Sequence, residues 1–251
     1  MGTEDYRETN LLVPSTTSLV KYDNRQVQAT CQACGDSYIQ TIWIRADRSE
    51  VPPDPFCPDC RARADLADSR DKHEREMAGA IARIRADWRS EYGVEGIFQA
   101  KTFENFKRAK QPKAFDLVSN WQGGSLLLWS DNIYGLGKTH LVCALANKLV
   151  EERDAVFERG NGSYIKLSCP VRYENENNLI TRIRATFGKN DDSDEAIYRK
   201  LAEVPLLIID DIGKIQPKSM DFTQSVHYRI VNDRYVHGRD IIVITNRPLK
   251  G

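Results

Sequence analysis

Four short apolar or β-branched runs, Ser125–Trp129, Tyr164–Leu167, Leu206–Ile209 and Ile241–Thr245, read as strands buried on both faces. Between and around them lie stretches of helical character: Lys138–Arg153, Asn178–Phe187, Asp194–Ala202 and Phe222–Tyr235. Strands alternating with helices predict a parallel sheet covered by helices. Upstream, residues 63–95 are dense in Ala, Arg, Glu and Asp and predict a long charged helix. Met77, Ile81, Ile84 and Trp88 recur at steps of four, three and four, a narrow stripe that should pack on a neighbouring element. Residues 28–62 form a cysteine module whose segment DSYIQTIWIRADRSE alternates enough for a hairpin. Residues 1–27 read as a flexible arm with a weak apolar cluster at Leu11, Leu12 and Val13. The expected organisation is therefore arm 1–27, cysteine module 28–62, helical linker 63–95 and an α/β core over 96–251.

Composition narrows the class. Hydrophobic residues are 41% and charged residues 29% of 251, an ordinary globular balance that excludes a fibre or a chain disordered throughout. Lys+Arg and Asp+Glu both number 36, so a grip on nucleic acid needs a local basic patch. No apolar run approaches the roughly 18 residues of a membrane helix. The acidic, polar start lacks the features of a signal peptide, so no membrane association and a cytoplasmic location are expected. In a reducing compartment six cysteines are metal ligands or core residues rather than disulfides.

The segment LLLWSDNIYGLGKTHL runs a buried strand into Gly135-Leu136-Gly137-Lys138-Thr139 and then a helix. Glycines let backbone N–H groups turn inward around an anion, and the helix N-terminus adds its positive dipole end. Lys138 can reach β- and γ-phosphates, and the Thr139 hydroxyl can hold Mg²⁺. In the pattern G-x-x-x-x-G-K-[ST] the first glycine is here Asn132, a residue that tolerates positive φ. Asn132, Gly135, Leu136, Gly137, Lys138, Thr139 and His140 are the candidate nucleotide-binding residues of the loop and first helical turn.

The run Leu206–Ile209 ends in Asp210-Asp211. Carboxylates at the C-terminal edge of a parallel sheet face the ligand crevice. Asp210 is a candidate Mg²⁺ and nucleotide ligand; Asp211 is a candidate for orienting or deprotonating an attacking water. The run Ile241–Thr245 ends at Asn246, whose amide can bond that water or the γ-phosphate. Asp211, Asn246 and Lys138 form the candidate catalytic set.

Cys31-Gln-Ala-Cys34 and Cys57-Pro-Asp-Cys60 are two C-x-x-C pairs. Each presents two thiolates, and together they complete a tetrahedral Zn²⁺ site without an open position, which is structural. A short module with little core needs such a staple. Cys143 and Cys169 stand apart and read as small buried hydrophobes.

Phosphate loop, acidic strand end and terminal Asn come in the order found in AAA+ ATPases. More narrowly, residues 95–251 resemble the DnaC/DnaI-like helicase loaders and the related IstB transposition helpers. The residues that carry this are Phe98, Lys101-Thr102-Phe103-Glu104-Asn105-Phe106, GKTHL at 137–141, LLIIDDIG at 206–213 and VNDRYVHGRDIIVITN at 231–246. N-terminal cysteine-rich modules also occur in DnaI-like and phage loaders. The resemblance implies an ATP- and Mg²⁺-dependent ATPase that loads a replicative helicase in DNA replication. It implies single-stranded DNA as a second ligand and self-association through the core. The family's arginine finger and C-terminal helical part have no counterpart up to Gly251. A truncated chain, or an arginine from another chain, is therefore expected. Arg229, Arg234 and Arg239 are the late arginines, none assigned to that role. Two alternatives stay open: a transposition helper, and a nucleotide-binding adaptor without turnover. The cysteine module could contact DNA through Arg45, Arg48, Arg61 and Arg63 or dock on a protein. Lys107, Arg108, Lys110 and Lys113 read as solvated surface; 175–178 and 189–194 read as polar loops.

Overall fold

A computed structural model describes residues 23–44, 49–160, 163–187, 193–214 and 220–247. The predicted apolar cluster at 11–13 and the arginines at 45 and 48 lie outside them. The chain forms two compact units, Met1–Arg75 and Glu76–Gly251.

The N-terminal unit contains an antiparallel hairpin, β1 (Asp23–Thr30) and β2 (Ser37–Ile44), in register from Thr30↔Ser37 to Asp23↔Ile44. Its turn is the first cysteine pair. This corrects the predicted hairpin, which lay wholly between the two pairs, and places a strand in part of the expected arm. The physical reason is that Cys31 N–H donates to the Asp36 carbonyl (2.9 Å) and Gly35 N–H to the Cys31 carbonyl (2.9 Å), so the knuckle itself closes the strands. Helix α1 (Pro58–Glu91) opens with Pro58 and Asp59, a rigid first residue and an acidic first turn.

In the C-terminal unit the later half of α1 buries Ala80, Ile84 and Trp88, the predicted stripe shifted slightly. Ile84 and Trp88 join the main core with Tyr92, Val94 and Val118. Gly93, at φ +85, turns the chain out of α1. A β-carbon there would lie 2.0 Å from the Tyr173 carbonyl oxygen. Helix α2 (Pro112–Ser119), absent from the sequence reading, follows.

Among the described residues the sheet has four parallel strands: β3 (Leu126–Trp129), β8 (Asp240–Thr245), β7 (Leu206–Ile212) and β6 (Val171–Asn175), in the order β3-β8-β7-β6. Helices α3 (Lys138–Glu152), α4 (Glu176–Arg184), α5 (Ser193–Glu203) and α6 (Met220–Val236) cover it. The pleat of β7 shows why its run is unbroken. Leu206 and Ile208 enter the cluster with Leu141, Leu145 and Val118, while Leu207 and Ile209 enter the one with Leu179, Ile183 and Ile230.

Two predicted elements differ. The run at 164–167 is not in the parallel sheet; β5 (Tyr164–Lys166) pairs antiparallel with β4 (Val156–Glu158), and both are largely exposed. The fourth sheet strand is instead β6, and residues 175–178 form its end and the first turn of α4 rather than a loop. Asn175 caps that helix, its side chain accepting from Asn177 N–H at 3.1 Å.

Candidate functional site

The loop from β3 to α3 lies against the end of β8. Ser130 N–H donates to the Thr245 carbonyl (3.3 Å) and Asn132 N–H to the Asn246 carbonyl (2.9 Å). Asn132 sits at φ 54, the left-handed conformation for which glycine is otherwise selected. Gly137 precedes α3 at φ +88, and a β-carbon on it would meet Phe106 Cε2 at 2.6 Å.

Lys138 opens α3 and points back under the loop. Its Nζ donates to Ser130 Oγ (2.6 Å) and Asn246 Oδ1 (2.7 Å). Burial lowers its affinity for the proton, and the nearby Asp210 and Asp211 carboxylates oppose that shift. Thr139 Oγ1 donates to Asp210 Oδ2 at 2.7 Å, and the Tyr173 hydroxyl donates to the same oxygen at 2.8 Å. Asp210 is 4% exposed; burial raises its pKa, while the two hydroxyl donors pull it down. Burial and the adjoining Asp210 charge hold the Tyr173 phenol neutral.

The pairing of β7 with β8 breaks register between Ile209 and Ile212, and Asp211 there takes φ 67. A non-glycine residue in the left-handed region stores strain of about 1–3 kcal/mol, a feature that clusters at functional sites. The strain turns Asp211 toward Asn246, whose Nδ2 lies 3.4 Å from Asp211 Oδ1. Gly135, Lys138, Thr139, Asp210, Asp211 and Asn246 line one cavity of about 290 Å³, together with Phe98, Tyr134, Tyr173, Asn175, Lys214 and Ile244.

Four sequence candidates do not line this cavity: Asn132 and Gly137, which shape the loop backbone, and Leu136 and His140, whose side chains are engaged elsewhere. His140 Nε2 lies 3.0 Å from the Thr102 carbonyl oxygen and its ring meets Phe106 edge-on, so it braces the segment before α2. Leu136 faces a different, apolar cavity with Leu117, Leu127 and Leu141. Sequence reasoning missed Tyr173, Ser130, Tyr134 and Lys214. Only the Gly-rich context of Ser130 and Tyr134 and the DIGK turn holding Lys214 marked their neighbourhood; nothing marked Tyr173.

Two late arginines are committed elsewhere. Arg234 is 1% exposed and donates to the carbonyls of Leu201, Val204, Pro205 and Asp240. The Arg229 guanidinium lies 3.8 Å from the Tyr198 ring centroid and pairs with Glu195. Within the basic run, Arg108 pairs with Asp116 at 2.7 Å.

In the N-terminal unit the ligand atoms of Cys31, Cys34, Cys57 and Cys60 lie within 4.8 Å of one another. Cys34 Sγ and Cys57 Sγ are 3.8 Å apart. Tetrahedral Zn²⁺ with bonds of about 2.3 Å needs sulfurs about 3.8 Å apart, so the donor set fits that ion. The Cys57 backbone N–H draws the Cys31 thiol down to about 6. The Asp36 N–H pulls Cys34 down too, but the Cys31 side chain and burial push it up to about 12. Four thiolates crowded together require a cation to be ionised at once. The second pair is held by Asp54, which accepts from Phe56 N–H (2.9 Å) and Arg61 Nε (2.6 Å).

No helix among the described residues is long and apolar enough to cross a membrane.

The family profile of the bacterial DnaA ATPase domain matches residues 99–250. The chromosomal replication initiator protein DnaA of Streptococcus pyogenes serotype M5 (strain Manfredo) is 24% identical over 183 residues, covering 70% of this chain and 35% of that protein. The chain thus spans about a third of the length of the curated relatives it matches. Among solved structures, that of the DnaC helicase loader has a TM-score of 0.46 at 20% identity, covering 62% of this chain and 82% of that one. The structure of DnaI has a TM-score of 0.43 at 16% identity, covering 62% and 77% respectively.

Proposed function

The chain belongs to the bacterial DnaA ATPase-domain family, and from that premise we propose that it binds ATP with Mg²⁺ and couples the bound state to loading of a replicative helicase on single-stranded DNA. The observation that carries the nucleotide reading is the convergence of Lys138, Thr139, Asp210, Asp211 and Asn246 on one cavity at the C-terminal edge of the sheet. The backbone of residues 132–139, the α3 N-terminus and Lys138 receive the phosphates. Thr139 Oγ1 and Asp210 would hold Mg²⁺, which supplies charge neutralisation on the phosphate oxygens when bound. The donor set fits: a hydroxyl and a buried carboxylate already in contact at 2.7 Å. Tyr173 fixes the Asp210 carboxylate from behind. Asp211 and Asn246 bracket the place where a water would attack, Asp211 accepting its proton and Asn246 orienting it. Hydrolysis itself, and a cation supplied by a neighbouring copy of the core, belong to this proposal. The cysteine cluster takes one structural Zn²⁺ that staples the N-terminal unit.

The test is an equilibrium titration with ATP and Mg²⁺. Lys138→Ala removes a charge-assisted contact to the phosphates and should weaken binding about tenfold to a hundredfold. Unchanged affinity would overturn the loop assignment. Co-purification of the full chain from its own cells should recover a replicative helicase. Recovery of a transposase without helicase would replace the loader reading with the transposition helper. Tight binding without turnover in the presence of helicase and single-stranded DNA would replace it with the adaptor.

A further inference from the structure

Lys214 follows Asp211 by three residues, and nothing in the motifs gives it a role. The residue before it is anchored. Gly213 N–H donates to Glu176 Oε2 at 2.9 Å, and Glu176 is 1% exposed. The other Glu176 oxygen lies 3.2 Å from His227 Nε2 on α6. Gly213 takes φ +95, and a β-carbon on it would fall 2.7 Å from Arg247 Cδ. The Lys214 side chain is by contrast 45% exposed and reaches over the cavity. Its Nζ lies 2.5 Å from Asp211 Oδ2 and 5.4 Å from the centroid of the Tyr134 ring in the phosphate loop. Among the described residues, Lys138 and Lys214 are the two cationic side chains that line the cavity. Lys138 is pinned by Ser130 and Asn246, whereas Lys214 is held by one carboxylate and one aromatic face.

We infer that Lys214 is the side chain that recognises the terminal phosphate of a nucleoside triphosphate, with Asp211 as its resting partner. The inference rests on the reading that this cavity takes a nucleotide. A terminal phosphoryl group carries more charge than one carboxylate and offers several acceptor oxygens. When it arrives, the Lys214 ammonium exchanges Asp211 for a phosphate oxygen by turning about its own side-chain torsions, with no bond made or broken. The exchange leaves Asp211 free to accept from a water. A diphosphate ends short of this position and leaves the Lys214–Asp211 pair intact. The lysine therefore distinguishes three phosphates from two and prepares the aspartate in the same motion.

The experiment compares binding of ADP and of a non-hydrolysable ATP analogue, each with Mg²⁺, to wild type, Lys214→Met and Lys214→Arg. Lys214→Met should lower affinity for the analogue about tenfold or more while leaving ADP within about twofold. Lys214→Arg keeps the charge and should keep most of the preference. An unchanged analogue-to-ADP ratio in Lys214→Met, or equal losses for both nucleotides, would reduce the contact to an ordinary surface ion pair and overturn the inference. Failure of the wild-type protein to bind either nucleotide would instead sink the nucleotide reading on which it stands. Because the ratio is measured within one folded variant, a change in stability does not confuse the outcome.

Discussion

Replacing Arg234 by methionine removes a guanidinium that is only 1% exposed, while filling most of the space its stem occupies. Four carbonyls lose their donor: those of Leu201, Val204 and Pro205 around the end of α5, and that of Asp240 at the start of β8. Leu201 lies in the last turn of α5, whose carbonyls have no partner within the helix, and Val204 and Pro205 follow directly after it. At about 1.5–2 kcal/mol for each buried acceptor left unpaired, the loss is about 6–8 kcal/mol. Burial holds the guanidinium down to about 10 from 12.5. Deleting the buried charge therefore returns roughly 3 kcal/mol. The net destabilisation is about 3–5 kcal/mol, the range seen when one member of a buried ionic network is removed. Urea unfolding followed by circular dichroism measures it. With a slope of about 2 kcal/mol per molar, the midpoint should fall by about 1.5–2.5 M. A shift below roughly 0.5 M would show that water or neighbouring donors satisfy the carbonyls and that the network does not hold α5 to the sheet. Nucleotide affinity measured before the transition should stay at the wild-type level, since Arg234 does not line the cavity.

Asp210→Asn should raise the melting temperature at neutral pH yet abolish the Mg²⁺ dependence of nucleotide binding. Burial lifts the folded-state pKa of Asp210, so the folded state binds the extra proton and stability falls as pH rises from the ordinary carboxylate value through the raised one. The gain should vanish below about pH 4, where the carboxyl is protonated in both states; a lower melting temperature at pH 7 would contradict this account. Metal analysis of the reduced protein should find about one zinc per chain and markedly less in Cys57→Ser; equal zinc in both would remove the cysteine cluster as the site. Gly93→Ala forces a β-carbon to within 2.0 Å of the Tyr173 carbonyl oxygen, and its urea midpoint should report a loss above about 2 kcal/mol; near-neutral behaviour would mean the turn relaxes without disturbing β6.

The phosphate loop and strands β3, β7 and β8 were readable because burial on both faces writes an unbroken apolar run. The substitution at Asn132 was readable too, since the residue kept the one property the turn demands, tolerance of φ 54. Strand β6 was not readable. It lies at the sheet edge, and its Val-Arg-Tyr-Glu-Asn hides a buried Glu174 that is admissible only because Arg172 and Arg182 pair with it at 2.5 and 2.7 Å. Such compensation crosses from strand to helix and leaves no local period. Losing β6 meant losing Tyr173, and with it the second donor to Asp210. His140 was only half readable: it packs in the first turn of α3, but adjacency to the loop in sequence said nothing about its aim toward Phe106 and the Thr102 carbonyl. The cysteine spacing was informative about the thiolate cluster, but not about which strands the knuckle joins.

The position of β8 carries a consequence for biosynthesis. It is the last of the described strands to leave the ribosome, yet it lies between β3 and β7, which have no hydrogen bonds to each other. Until it inserts, β3 and β7 face each other with uncovered edges, and the longest-range pairings of the sheet wait until β8 has emerged. Slow closure of that kind lengthens the interval in which apolar strand edges are open to mispairing.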